Sequence, residues 1–111
     1  MSNDVKKYLL HIYEAIVFIE TETKAIRNFG DYQKSRLLKP AIERKLEIIG
    51  EATNKATKLF NALPITSKEK IISMRNYLIH AYDSIDDFLV YEIIKTHLPL
   101  LKTEVEKLLE E

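Results

Sequence analysis

The chain has 111 residues, 46% of them hydrophobic, so it is long enough to bury one core and too short for two ordinary domains. We therefore expect a single helical domain over residues 1–111. Lys and Arg together number 17, as do Asp and Glu, and the formal net charge is zero. A zero net charge excludes a global field that attracts nucleic acid or membranes, so any RNA contact must come from a local patch.

Residue usage points to an all-α protein. The chain has no cysteine, which excludes disulfides, thiolate metal sites and cysteine nucleophiles, and which fits a reducing cytoplasm. No stretch approaches the roughly twenty apolar residues of a membrane span, so we expect a cytoplasmic protein. Only two glycines and three prolines interrupt a chain rich in Leu, Ile, Lys and Glu. That balance favours long helices over short strands.

The first half of the chain predicts two helices. The first runs from about residue 4 to 28 with one apolar stripe, and Gly30 is expected to be its C-terminal stop. The second starts near Asp31, a candidate N-cap, and Pro40 either kinks it or marks its true first turn. It ends at 61–64, where Pro64 disfavours helical geometry in the preceding residue.

Two further start signals predict a third and a fourth helix. Thr66–Glu69 reads as a capping box, which starts a helix at about residue 67 that ends around Tyr82. Ser84–Asp87 starts the last helix, which Pro99 is expected to bend. The third helix is expected to turn four apolar residues inward, namely Ile71, Met74, Leu78 and Ile79. Short connections between four helices predict an up-and-down four-helix bundle.

The third helix carries polar residues in unusual positions. Asn76 and His80 are four residues apart and share a face, whereas Arg75 and His80 are five apart, which places them roughly 140° apart around a straight helix. The two side chains can meet if the helix distorts near its end. Alternatively, a second copy of the chain brings its own pair to a cleft on a two-fold axis, which is the alternative we favour.

Such a cleft would suit RNA cleavage by attack of the ribose 2′-hydroxyl on the adjacent phosphate. Histidine exchanges protons near neutral pH, and arginine offers a planar set of donors for a phosphate and for the charge that develops on it. Asn76 could orient the phosphate or the imidazole, and no metal is required. An arginine in a helical bundle is, however, more often an ion-pair partner for a glutamate, and spacing alone does not decide between the two.

The remaining candidates have simpler structural interpretations. His11 and His97 lie beside apolar stripes and are interpreted as structural residues. A cation site formed by His80 with nearby aspartates is disfavoured, because aspartates after a helix end are ordinarily caps. Those aspartates are Asp83, Asp86 and Asp87. Gly50, in the middle of the second helix, indicates a close approach of another helix, since glycine there costs about 1 kcal/mol of helix stability.

Three segments resemble the HepT-like proteins of the HEPN superfamily. Arg75–Tyr82 is similar to their Arg-x4-His-x-Tyr signature, Ile42–Ala52 to their second-helix motif, and Leu98–Leu101 to their final-helix pattern. The resemblance implies a dimeric four-helix bundle that acts as a metal-independent endoribonuclease toxin without a cofactor. Its catalytic residues would be Arg75 and His80, with a contribution from Asn76.

The resemblance also implies a partner. In a type VII toxin–antitoxin pair, a cognate MntA-like nucleotidyltransferase would attach AMP to Tyr82 and silence the toxin. A bulky anion on nearly the same helical face as Arg75 would exclude RNA by volume and by charge. Two alternatives stay open, namely a non-catalytic module that binds a nucleotide or the substrate of the nucleotidyltransferase, and a purely structural helical adaptor.

Overall fold

The computed structural model describes residues 1–81 and 84–111, and within them it contains helices and no strand. The helices are α1 (Asn3–Glu22), α2 (Phe29–Lys34), α3 (Leu38–Leu59), α4 (Lys68–Ala81), α5 (Asp87–Glu92) and α6 (Leu98–Glu110). A π-helical turn, Ile93–His97, joins α5 directly to α6. The all-α bundle is confirmed, with four long helical segments and the short α2 as an addition.

One apolar core holds the long helices together. α1 packs against α3 and α6, α3 packs against α4, and α2 packs against α5. The stripe predicted on α1 is buried, and each large aliphatic side chain in it contributes about 1.5–3 kcal/mol by leaving water. Six of its seven predicted members are buried, namely Val5, Leu9, Ile12, Ala15, Ile16 and Ile19, whereas Tyr8 is half-buried. None of the described helices is long and apolar enough to cross a membrane.

The first predicted helix is too long, because the chain turns at Thr23. The hydroxyl of Thr23 donates to the carbonyl of Ile19 at 2.7 Å, and its backbone N–H donates to the same carbonyl, which closes α1 at Glu22. The prediction that Gly30 stops the first helix is therefore wrong. Gly30 lies inside α2, which Asn28 caps.

Asp31 is likewise not the N-cap of the second long helix. It lies within α2, and its backbone N–H donates to the Asn28 side chain at 2.9 Å. Its carboxylate instead accepts from the backbone N–H of Arg27 at 3.0 Å, which lowers the pKa of Asp31 below its usual range. Asn28 caps only the short α2, whereas the second long helix, α3, begins at Leu38 without a side-chain cap. Pro40 lies in the first turn of α3, which is the second of the two positions predicted for it, and it does not kink the middle of the helix.

Two details of α4 differ from the sequence-based expectation. Thr66 donates its backbone N–H and its hydroxyl to the carboxylate of Glu104, with the hydroxyl bond at 2.6 Å. The predicted capping threonine thus anchors the loop before α4 to α6. Ile79 is 36% exposed and does not join the core, whereas Ile71 and Leu78 are buried as predicted. One helical step of about 100° separates Ile79 from the buried Leu78.

The last helical segment continues past Pro99, as predicted. Asp86 caps its start by accepting backbone N–H bonds from Phe88 and Leu89. Proline lacks an N–H and its ring clashes with the carbonyl four residues earlier in a regular helix. The π-helical turn, which ends two residues before Pro99, widens the backbone ahead of the proline, and the N–H of Leu98 bonds back to the carbonyl of Ile93.

Candidate active site

The backbone of α4 passes unusually close to α3 at Gly50. A Cβ atom at this position would lie 2.5 Å from the Cβ of Arg75 and 3.0 Å from the carbonyl oxygen of Ile71. Only a glycine leaves room for this crossing. The close approach predicted from Gly50 is thus present within one chain, and it fixes the position of Arg75 against α3.

Arg75 is half-buried at this crossing. Its Nε atom is buried and has no hydrogen-bond partner among residues 1–81 and 84–111. Its Nη1 atom lies 3.5 Å from the side-chain oxygen of Asn76. The charge of Arg75 also reaches Glu51 on α3, where it adds to the hydrogen bond from Lys55 in lowering the pKa of that carboxyl group. The guanidinium therefore lies along the α3 side of α4.

His80 is exposed, and its ring is held in one orientation. Its Nδ1 atom lies 2.8 Å from the backbone carbonyl oxygen of Asn76. Because a carbonyl oxygen only accepts hydrogen bonds, Nδ1 carries the proton in this contact. In the neutral ring Nε2 is then unprotonated, and it faces away from that bond. The imidazole is thereby arranged to accept a proton at Nε2.

Asn76 contacts both of the other candidate residues. Its carbonyl oxygen accepts from His80, and its side-chain oxygen lies near the guanidinium of Arg75. The three predicted residues are thus linked, yet the arginine lies against α3 while the histidine is exposed on the outer side of α4. α4 is regular through Ala81, so no helix distortion up to that residue brings the two side chains together.

The other candidate residues lie away from this cluster. His11 is exposed beside the ring of Tyr8, with ring centroids 6.0 Å apart, and His97 is exposed at the end of the π-helical turn. Asp86 caps α5, and Asp87 pairs with Lys39 at 2.8 Å. No group of three metal-ligating residues occurs within the described parts of the chain. The predicted AMP acceptor Tyr82, like Asp83, lies outside the described residues.

Sequence reasoning missed an apolar groove beside the site. It lies between α4 and the segment formed by α5, the π-helical turn and α6, and has a volume of about 380 Å³. Met74 and Tyr77 line it from α4, and Leu89, Ile93 and Leu101 line it from the opposite side. Leu89 and Leu100 are more than 40% exposed at this edge. Leu89 was the residue that could have indicated this groove, because it follows the apolar pattern of its helix yet is exposed.

Fold and site together define an all-α protein with a half-buried arginine and an exposed, hydrogen-bonded histidine on one helix. The chain belongs to the Ribonuclease HepT-like family, which matches residues 12–108. No solved structure matches the chain significantly.

The chain is similar to two relatives of about its own length and to part of a longer one. It is 38% identical to the "Probable ribonuclease HepT" of Thermococcus cleftensis, across 97% of this chain and 98% of that protein. It is 35% identical to a "Putative RNase" of Methanocaldococcus jannaschii, across 93% and 94% of the two chains. A "Gamma-glutamylcyclotransferase and putative RNase" of the same organism is 38% identical, and the chain spans 50% of its length.

Proposed function

We propose that this protein is a metal-independent endoribonuclease that works as a homodimer and serves as the toxin of a type VII toxin–antitoxin pair. The observation that carries the proposal is the hydrogen bond from His80 to the carbonyl of Asn76, which leaves Nε2 as a base on the helix that also bears Arg75. Membership in a ribonuclease-like family supports RNA as the substrate.

In this proposal the RNA supplies its own nucleophile. Nε2 of His80 takes the proton of a ribose 2′-hydroxyl, whose oxygen then attacks the adjacent phosphorus. The bond from phosphorus to the 5′-oxygen breaks, which leaves a 2′,3′-cyclic phosphate and a 5′-hydroxyl. The imidazole of His80, protonated in the first step, then gives that proton to the leaving 5′-oxygen. Arg75 donates to the non-bridging oxygens, where negative charge builds up in the transition state.

A second copy of the chain would solve the geometric problem of α4. Arg75 and His80 diverge on a regular helix, so one chain alone does not direct both side chains at one phosphate. A two-fold axis beside α4 would place the arginine of one copy near the histidine of the other, so that each of two sites would draw Arg75 from one copy and His80 from the other.

Regulation by AMP attachment completes the proposal. Tyr82 is seven residues after Arg75, which is two turns of an ideal helix, and it is the tyrosine of the Arg-x4-His-x-Tyr pattern. A cognate nucleotidyltransferase would transfer AMP to its hydroxyl and block the RNA site. The intact mass of the protein co-expressed with that enzyme should rise by one or more AMP units, and Tyr82→Phe should abolish the rise.

The catalytic assignment is tested with a fluorescent single-stranded RNA in the presence of a chelator. We expect Arg75→Ala and His80→Ala each to lower the cleavage rate by roughly 10²–10⁴-fold, the usual contribution of a proton-transfer or charge-stabilising group. His97→Ala is the matched control, since it removes another exposed histidine. Equal rates in the wild type and both site variants would overturn the assignment, and nucleotide binding without cleavage would favour the non-catalytic alternative.

The shared site is tested by mixing the two inactive variants. If arginine and histidine come from different copies, a mixed dimer of Arg75→Ala and His80→Ala keeps one intact site of two. Random exchange makes half of the dimers mixed, so the mixture should regain about a quarter of the wild-type rate. A mixture that stays inactive after verified subunit exchange would show that each site draws both residues from one chain.

A further inference from the structure

A second groove lies between α1 and α3. It has a volume of about 310 Å³, and its polar and aromatic lining consists of Lys7, Tyr8, His11, Arg44, Glu51 and Lys55. Three of these side chains are permanently cationic and one is acidic, in a chain whose total formal charge is zero. Positive charge is therefore concentrated at this groove.

We propose that this groove binds the sugar–phosphate backbone of single-stranded RNA and guides the strand to Arg75. The inference rests on the proposed ribonuclease function and names where its substrate lies outside the site of cleavage. Cationic side chains that follow a groove, with aromatic rings among them, are the features by which proteins hold single strands without reading their sequence.

Two lysines from different helices converge on one tyrosine ring. The ammonium of Lys7 on α1 lies 5.0 Å from the ring centroid of Tyr8, and that of Lys55 on α3 lies 5.7 Å from it. A cation over an aromatic face is held there by the charge distribution of the ring. Both positive charges therefore lie beside the same ring, where they would attract a phosphate together.

The basic groups of the groove can exchange their present partners for phosphates. Lys55 pairs with Glu51 at 3.1 Å, and both side chains are at least 40% exposed. Arg44 pairs with Glu47 at 3.3 Å, and its side chain is 63% exposed. Ion pairs in water contribute about 0–1 kcal/mol, so a phosphate can displace the carboxylates at little cost.

The groove and the candidate active site adjoin the same stretch of α3. Gly50, over which Arg75 packs, is the residue next to Glu51 of the groove. Arg75 is also close enough to Glu51 to help lower the pKa of that carboxyl group. Arg44 and Lys55 are eleven residues apart on α3, which is roughly 16 Å along the helix axis. A strand lying along this stretch would therefore pass Glu51, whose carboxyl group the charge of Arg75 also reaches.

The test measures binding separately from cleavage. The probe is a labelled single-stranded RNA of mixed sequence in which every ribose is 2′-O-methylated, so that it cannot be cleaved by internal attack. Its affinity for full-length protein is measured by fluorescence anisotropy at several salt concentrations. The groove variant is the double substitution Lys7→Gln with Lys55→Gln. The control is Lys95→Gln. Lys95 is on the π-helical turn, outside the groove, and its ammonium likewise lies near an aromatic ring, 5.8 Å from the ring centroid of Tyr91.

We expect the groove variant to bind the probe about tenfold more weakly at about 100 mM salt. The slope of log affinity against log salt should become shallower by about 1.4, because each of the two lost phosphate contacts contributes roughly 0.7 on a single strand. Lys95→Gln should match the wild type. Wild-type affinity and slope in a groove variant that melts normally would overturn the proposal.

Cleavage of ordinary RNA separates this inference from the proposed function. If the groove is correct, the groove variant should raise KM and leave kcat unchanged. A wild-type protein that binds the methylated probe through the groove but cleaves no RNA would contradict the ribonuclease and leave the groove standing. Unchanged KM in the groove variant, with cleavage by the wild type intact, would contradict the groove alone.

Discussion

Replacing Gly50 with alanine should separate α3 from α4. The added Cβ would lie 2.5 Å from the Cβ of Arg75 and 3.0 Å from a backbone oxygen, and neither atom is the end of a flexible side chain. Carbon atoms pack at about 3.5–4.0 Å, so α4 must move by roughly 1 Å. Overpacking of this kind costs about 1–3 kcal/mol, and the better helix propensity of alanine returns about 1 kcal/mol. We expect a net loss of up to about 2 kcal/mol.

Urea unfolding measures that loss, and Gly30→Ala is the matched control. A Cβ at Gly30 would meet only the side-chain oxygen of Asn28, at 3.3 Å, so this variant should be as stable as the wild type or slightly more stable. Gly50→Ala should also cleave RNA up to about 100-fold more slowly, since a shift of about 1 Å misplaces Arg75. If Gly50→Ala is more stable than the wild type, as helix propensity alone predicts, the close crossing is refuted.

Three further substitutions test single contacts. The Tyr32 hydroxyl is buried without a hydrogen-bond partner among the described residues, so Tyr32→Phe should keep or raise the melting temperature. Burial raises the pKa of Tyr32, so the folded state favours the neutral side chain. This contribution to stability is complete below about pH 10 and is lost as the pH rises above it. Tyr32→Phe should therefore show less alkaline destabilisation in pH-dependent melts. Asp86→Ala removes a helix cap and should cost about 1 kcal/mol in urea unfolding, whereas Asp86→Asn should cost less. Glu104→Ala removes the bonds from Thr66 and should cost about 1–2 kcal/mol; a loss equal to that of the exposed control Glu110→Ala would show that the contact is unimportant.

The sequence pattern predicted the long helices because apolar spacing determines which face is buried. Errors fell where local side-chain hydrogen bonds compete with helix propensity. Thr23 ends α1 six residues before the predicted end, and Asn28 caps the short α2, which no apolar stripe in the sequence predicts. Thr66 bonds to Glu104, which is 38 residues away, and no local pattern shows a contact over that distance.

The candidate site was predictable only in part. Spacing placed Asn76 and His80 on one face, and the structure brings them into contact. The five-residue spacing also predicted that Arg75 and His80 point in different directions around a straight helix, and α4 is regular over both residues. The basic groove was not predicted, because Lys7 and Lys55 belong to helices that come together only through the packing of α1 on α3.

The two functional groups of α4 depend on different supports, and this limits how the protein can lose activity. Arg75 is placed by the crossing at Gly50, which is tertiary packing, whereas His80 is oriented by the carbonyl of Asn76 one turn earlier in its own helix. Loosening the bundle should therefore displace Arg75 before it disturbs His80. Because only backbone atoms of Asn76 orient the imidazole, a side-chain change there leaves His80 in place and acts through Arg75 alone.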